Sequence, residues 1–479
     1  MSDMGSLDPQ DWRAFRAFAH ELLDAMLDRQ QNADVGPVWR PVPEAVKQRL
    51  AEPPPQAPTP LKELRRELDA CVLPYAVGNT HPRFWGWVHG SGTPGGALAE
   101  MVAATLNANC GGRDHGAIYL ERAVVGWARD WFGLPGSTNG LLVSGASIAN
   151  LIGLAVARYR HGGERRVRED GLTGARLTVY ASEHAHACIA KALETLGLGR
   201  AALRSVPVRA DFAMDLAALA ERIASDRTAG LRPIAVVATA GAVNTGAFDD
   251  IERIADLCAR ECLWLHVDGA FGALTRLAPE LGELTRGVER ADSLAFDFHK
   301  WLHVPYDAGC ILVRDGELLP ATFGGRPDYL ANVGGLSGGE PWPADLGLEL
   351  SRGNRALKVW WTIKEQGVRR LGEAIARNCA QAQRLAAALA AEPRIVVAAP
   401  VPLNIVCCRY VGEGLDAEAL DALNAAIAVS LQERGVAVVS TTRIDERLCL
   451  RACITNHRTR DADLDLLVRE IVAAGERLI

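Results

Sequence analysis

The chain has 479 residues, 49% of them hydrophobic and 23% charged, with a formal net charge of −6. That length supplies two or three domains with large cores, and the composition is that of an ordinary globular enzyme. The acidic balance removes any bulk electrostatic case for nucleic acid or an anionic membrane as a partner. The 11 cysteines are scattered, odd in number and never spaced as CxxC, and Cys407 and Cys408 adjoin as in a buried strand. Reduced thiols and a cytoplasmic location are therefore expected. The opening MSDMGSLDPQDWRAF lacks the basic and apolar regions of a signal peptide. The apolar run 140–157 is interrupted by Ser144, Ser147 and Asn150, and reads as strand, turn and helix, not as a membrane span.

In chain order, residues 8–32 read as an amphipathic helix, AEPPPQAPTP (51–60) as an extended linker, and 61–71 as a further helix. This arm, residues 1–84, shows no core of its own and is expected to pack on a second subunit. From 85 to 375, apolar strands alternate with helices. Strands are expected at Gly140–Ser144, Leu177–Ala181, Ile234–Ala240, Leu263–Asp268, Ser293–Phe296 and Cys310–Val313. Helices are expected at Ile148–Tyr159 and Ile251–Cys262. That alternation implies an α/β fold with a mainly parallel sheet covered on both faces. From 376 to 479, a long Ala/Arg/Leu helix and strands at Ile395–Ala399, Asn404–Tyr410 and Cys449–Thr455 imply a smaller α+β domain.

Four segments carry chemistry. In LLVSGASIANLIGLAVAR (141–158), a strand enters a small-residue turn and a helix leaves it. The free N–H groups and dipole of such a helix start attract anions, and Ser147 adds a hydroxyl. A serine-capped turn reads the same way, and neither GxGxxG nor a Walker lysine is present. In VYASEHAHACIAKAL (179–193), His184 and His186 follow a strand. No further ligand set stands at a zinc spacing, so no metal is expected and one imidazole against a flat ligand fits better. In CLWLHVDGAFGA (262–273), Asp268 ends an apolar strand and is aimed into the ligand crevice of a parallel sheet. A carboxylate there suits a pyridinium nitrogen, although a strand-end cap or a metal carboxylate would look alike. In LAFDFHKWL (294–302), Lys300 ends an apolar strand-like run. Desolvation is expected to lower its pKa and free the amine as a nucleophile. A snorkelling lysine would share that pattern in isolation. Together the segments offer an anion site, a stacking ring, an acid and an amine, which are the groups that pyridoxal 5′-phosphate requires.

With HPRFWGW (81–87), SGASIAN (144–150), EHAH (183–186), HVDGAF (266–271), HKWL (299–302) and SRGNRALKVWW (351–361), the chain resembles the group II pyridoxal phosphate-dependent decarboxylases, the aromatic L-amino acid and glutamate decarboxylase family. The resemblance implies an aspartate aminotransferase-like fold type I homodimer. It makes Lys300 the Schiff-base lysine, Asp268 the ring-nitrogen partner, His186 the stacking ring and Ala270 the opposite face. Ala146, Ser147 and Asp297 would hold the phosphate, and His299 would lie near the substrate carboxylate. The family has Asn where Asp297 stands, and an acid beside a phosphate is disfavoured unless protonated or turned away. Trp87 and Gly90 fall near a family Tyr and Thr, so the substrate pocket wall differs. In the candidate mobile loop, 324–347, the family tyrosine falls near Trp342 or Pro343, and the loop's own tyrosine is Tyr329. Decarboxylation of an aromatic or other bulky L-amino acid to its amine is the leading expectation. Oxidative formation of an aldehyde, carbon–carbon lysis on the same scaffold, and cofactor binding without turnover are the alternatives.

Overall fold

The computed structural model describes residues 5–163, 165–172, 174, 176–325, 330 and 333–479. Its strands are Asn139–Val143 (β1), Leu177–Ser182 (β2), Leu203–Val206 (β3), Arg232–Thr239 (β4), Trp264–Asp268 (β5), Ser293–Asp297 (β6), Gly309–Val313 (β7), Ile395–Val397 (β8), Ile405–Tyr410 (β9), Ser440–Ile444 (β10) and Arg447–Cys453 (β11). The first seven form one sheet in the order β1-β7-β6-β5-β4-β2-β3, and the last four a second in the order β10-β11-β9-β8. In the large sheet only β7 runs against its neighbours, pairing antiparallel with β1 and β6. The small sheet is antiparallel throughout. The α/β architecture expected from the alternating pattern is therefore the one that forms.

Near-continuous apolar strands of the large sheet feed two cores. Val236 and Ala238 pack into one cluster while Ala235 and Val237 pack into the other. The strand period of two thus buries both faces, which is why β4 carries no polar alternation. Helix Ala146–Gly162 covers one face, and helices Gly116–Trp131 and Ile251–Glu261 the other. Because β1, β2, β4, β5 and β6 share a direction, their C-terminal ends open on one edge, where connecting loops are free to carry function.

The N-terminal helix Trp12–Gln31 is capped by the Asp11 carboxylate, which accepts from the Arg13 and Ala14 amides, yet it buries no residue. The HPRFWGW segment lies against the small sheet. Trp85 N–H donates to Val438 O at 2.7 Å, Cys453 N–H donates to Trp85 O at 2.8 Å, and the Trp85 ring sits in that sheet's core.

Candidate active site

The C-terminal edge of the large sheet opens into a cavity of about 530 Å³. Trp87, Ala146, Ser147, His186, Asp268, Ala270, Asp297, His299 and Lys300 all line it. Gly90, the remaining pocket residue read from the sequence, lies behind that wall. A Cβ on Gly90 would stand 1.8 Å from His299 O and 2.7 Å from Lys300 O, so a threonine cannot take its place on this backbone. His184 turns away, its ring edge-on to Phe212 at 5.4 Å.

Lys300 lies not on a strand but on the short helix Phe298–Trp301 that β6 runs into. Its Nζ is 2.9 Å from Asp297 Oδ2. Burial is the largest single influence on the amine and lowers its pKa, but the ion pair with Asp297 and the charge of Asp268 outweigh it, and the net shift is upward. The lowered pKa expected from desolvation alone is thereby corrected. In this state Lys300 is an ammonium held by an acid three residues earlier. Asp297 Oδ1 in turn accepts from Ala146 N–H at 2.7 Å, at the start of helix Ala146–Gly162. Its carboxylate thus lies between the helix start and Lys300.

His299 is buried, and its Nδ1 accepts from Ala308 N–H at 3.1 Å. Burial pulls its pKa down. His186 is exposed towards the cavity, its plane set by Cys188 N–H donating to Nδ1 at 3.2 Å. Asp268 ends β5 almost fully buried, and its Oδ1 accepts from Ala270 N–H at 3.2 Å. Burial raises its pKa, while Lys300, Ala270 N–H, His186 and Asn150 act in the opposite sense.

The sequence reading missed several residues. Thr239, at the end of β4, lines the cavity with a buried Oγ1 that has no hydrogen-bond partner among the described residues. A single hydroxyl closing an apolar strand was its only signal. His89 and Tyr306 also line the cavity, and Tyr306 stacks at 4.3 Å on His299. Of the loop positions singled out, Trp342 is buried with its Nε1–H donating to Gly338 O at 2.7 Å, and neither it nor Pro343 lines the cavity. Tyr329 lies outside the described residues.

These residues fit pyridoxal phosphate. A helix start with an exposed Ser147, an unsatisfied Thr239 hydroxyl, an open His186 ring, a buried Asp268 and a reachable Lys300 match its phosphate, ring substituents, ring face, ring nitrogen and aldehyde in turn. Fold and site together define a fold type I pyridoxal phosphate enzyme.

The comparisons with known proteins narrow that class. Residues 43–411 match the pyridoxal-dependent decarboxylase conserved domain. The chain is 32% identical to an aromatic-L-amino-acid decarboxylase of Bacillus atrophaeus, over 97% of this chain and 96% of that one. It is 30% identical to tryptophan decarboxylase 1 of Oryza sativa subsp. japonica, over 92% and 89%. The structure of Oryza sativa TDC with PLP and tryptamine superposes with a TM-score of 0.91 at 27% identity, covering 98% of this chain and 99% of that one. The chain belongs to the pyridoxal-dependent decarboxylase family, and it is a carboxy-lyase that acts on amino acids with pyridoxal phosphate as cofactor.

Proposed function

We propose that the chain converts an aromatic L-amino acid to its amine and CO₂. One observation carries the substrate class: a continuous aromatic wall beside Lys300. Trp87 stands 5.9 Å from His89, His89 6.1 Å from Tyr306, and Tyr306 4.3 Å from His299, ring centre to ring centre. Offset and edge-on ring contacts at such spacings favour a flat substrate side chain over an aliphatic one. The relatives that bear the names of aromatic amino acid and tryptophan decarboxylases support the same reading.

In this reading, Lys300 would hold the cofactor aldehyde, and Asp268 would pair with its ring nitrogen and favour a proton there. His186 and Ala270 flank the ring. Ala146 and Ser147 hold the phosphate, with Asp297 bridging that end of the site to Lys300. Once bound, the cofactor supplies a sink for the electron pair that the departing carboxylate leaves. His299 would orient the substrate carboxylate and Trp87 would shape the side-chain pocket, with Gly90 behind that wall leaving room for the His299 backbone. After CO₂ leaves, Cα needs a proton. Tyr306 lines the cavity, and burial raises its phenol pKa even though Gly90 N–H points at its oxygen. It therefore carries a proton at neutral pH and is placed to deliver it. We further propose a cytoplasmic homodimer. Among the described residues no helix is long and apolar enough to cross a membrane.

Mass spectrometry of products from cofactor-loaded protein and a pool of L-amino acids in air tests this. An aromatic amine with matching CO₂ is the expected result. An aldehyde with peroxide would assign oxidative deamination instead, and an aldehyde without CO₂ would assign carbon–carbon cleavage.

A further inference from the structure

Two residues of the SGASIAN and HVDGAF motifs lead away from the site: Asn150, which lines the cavity and acts on Asp268, and His266. Both are completely buried. His266 Nε2 is 2.7 Å from Asn150 Oδ1, its Nδ1 is 2.7 Å from Ser293 Oγ, and Trp264 Nε1–H donates to Ser293 Oγ at 2.8 Å. The Asn150 amide reaches Cys188 Sγ at 3.3 Å, and its side chain acts on the Asp268 carboxylate in the sense that lowers its pKa.

The hydrogens of this chain have one consistent direction. Asn150 Oδ1 can only accept, so His266 Nε2 carries the proton and Nδ1 is the acceptor, taking the Ser293 hydroxyl hydrogen, while Ser293 Oγ accepts from the Trp264 indole N–H. That leaves the Asn150 N–H groups facing Cys188 and Asp268. Burial lowers the His266 pKa to about 3, so the ring stays neutral and keeps this tautomer. The backbone is shaped around the ring. A Cβ on Gly153 would meet His266 Cε1 at 2.6 Å and Nδ1 at 2.7 Å, so only glycine admits the imidazole here.

We propose that Asn150 and His266 are positioning residues for the decarboxylation: the one-way chain from Trp264 through Ser293 and His266 turns the Asn150 amide so that it donates to Asp268, holding that carboxylate ionised towards the cofactor ring nitrogen. The inference rests on the reading that Asp268 faces that nitrogen. A fully buried carboxylate otherwise tends to take up a proton, and a protonated Asp268 could not keep the ring nitrogen charged. A hydrogen bond to the charged form opposes that tendency, and a misoriented amide would present its oxygen and reinforce it.

The test uses holoenzyme loaded with pyridoxal phosphate labelled with ¹⁵N in the ring, read by nitrogen NMR near neutral pH alongside kcat and KM. In Asn150→Leu the ring-nitrogen signal should move towards its unprotonated position. Its kcat should fall about ten- to hundredfold with KM within about threefold, the size expected for losing one hydrogen bond to a charged group. Ser293→Ala, which touches neither Asn150 nor Asp268, should move both readings the same way by a smaller factor, because His266 is then free to change tautomer and Asn150 to turn over. Should Asn150→Leu fail to fold, Ser293→Ala decides alone. An unchanged nitrogen signal in the folded variants, whether or not kcat drops, overturns the proposal. Asp268→Asn separates the two layers. If it keeps both the signal and kcat, the assignment of Asp268 to the ring nitrogen is wrong. If it loses both while the other variants match wild type, only the relay is wrong.

Discussion

In the proposed reading, the Lys300–Asp297 pair sets how the site would receive its cofactor. A lysine must lose its proton before it can attack an aldehyde. Burial pulls the amine towards neutrality, while Asp297 and Asp268 together reverse the sign. The folded-state pKa therefore lies above the ordinary lysine value. The pair's contribution to stability is complete below that ordinary value and is lost as pH rises through the higher folded one. Asp297→Asn leaves burial opposed only by Asp268 and Tyr306. The rate at which cofactor-free protein recombines with pyridoxal phosphate should then reach its plateau at lower pH than in wild type, measured by the growth of the visible absorption band. A profile that stays in place would show that Asp297 does not govern the amine. Tyr306 is open to an equally local test. Tyr306→Phe keeps the ring against His299 and removes only the hydroxyl. It should lower amine formation about a hundredfold, the usual scale for a general acid, and raise the aldehyde share of product. Amine formation at the wild-type rate would assign the proton to another group.

At the scale of elements, the SRGNRALKVWW segment ties together the pieces that frame the site. The Arg352 guanidinium is fully buried and forked on Glu121, with Nη2 2.7 Å from Oε1 and Nη1 3.1 Å from Oε2. It also donates to Cys110 O at 2.9 Å and to Leu142 O, joining helix Gly116–Trp131, the LNANCGG turn (106–112) and β1. Asn354 caps the helix Arg355–Gln366, and Arg355 holds Asp307 at 3.0 Å, next to Tyr306. Removing one member of a buried pair strands a charge. Arg352→Met should therefore cost about 3–5 kcal/mol in urea unfolding, with part of that recovered in the double variant with Glu121→Gln. A loss below about 1 kcal/mol would mean that Glu121 is protonated or solvated once alone.

The same elements show what could be read from sequence. The apolar strands that carry Asp268 and the SGAS turn were legible because both of their faces are buried, which leaves a continuous hydrophobic run. β3 (Leu203–Val206) and β10 (Ser440–Ile444) were not legible, because each closes a sheet edge and keeps polar, partly exposed positions. The Lys300 ion pair was hidden because the strand is expected at Ser293–Phe296 with Lys300 ending the same strand-like run, and nothing in LAFDFHKWL signals a helix. Only the turn into helix at Phe298 sets Asp297 and Lys300 at i,i+3. The Asn150–His266 contact joins residues 116 apart, and strand order, which no local pattern encodes, brings them together.

The whole molecule leaves apolar surface exposed along its N-terminal arm. Leu7, Trp12, Leu27, Val35, Leu50, Leu61, Leu64, Val72 and Val77 are all exposed along the N-terminal arm, and helix Trp12–Gln31 buries nothing within its own chain. Met101 and Leu106 extend the exposure onto helix Pro94–Leu106, which leads into the LNANCGG turn held by Arg352. Isolated exposed side chains are ordinary, but an arm that carries this many apolar residues without a core is not. At roughly 25 cal/mol per Å² of apolar surface covered, an interface in the 2,000 Å² class of permanent dimers gains tens of kcal/mol before association entropy and side-chain ordering are subtracted. A dimer that persists at micromolar concentration in sedimentation equilibrium is therefore expected. The paired charge changes Trp12→Glu and Leu27→Glu should shift the chain towards monomer, with activity falling in step if the partner's surface completes the cavity. A wild-type chain that sediments as a monomer at 10-micromolar order (about the concentration at which weak interfaces also associate) while turning over substrate would show that the arm serves some purpose other than self-association.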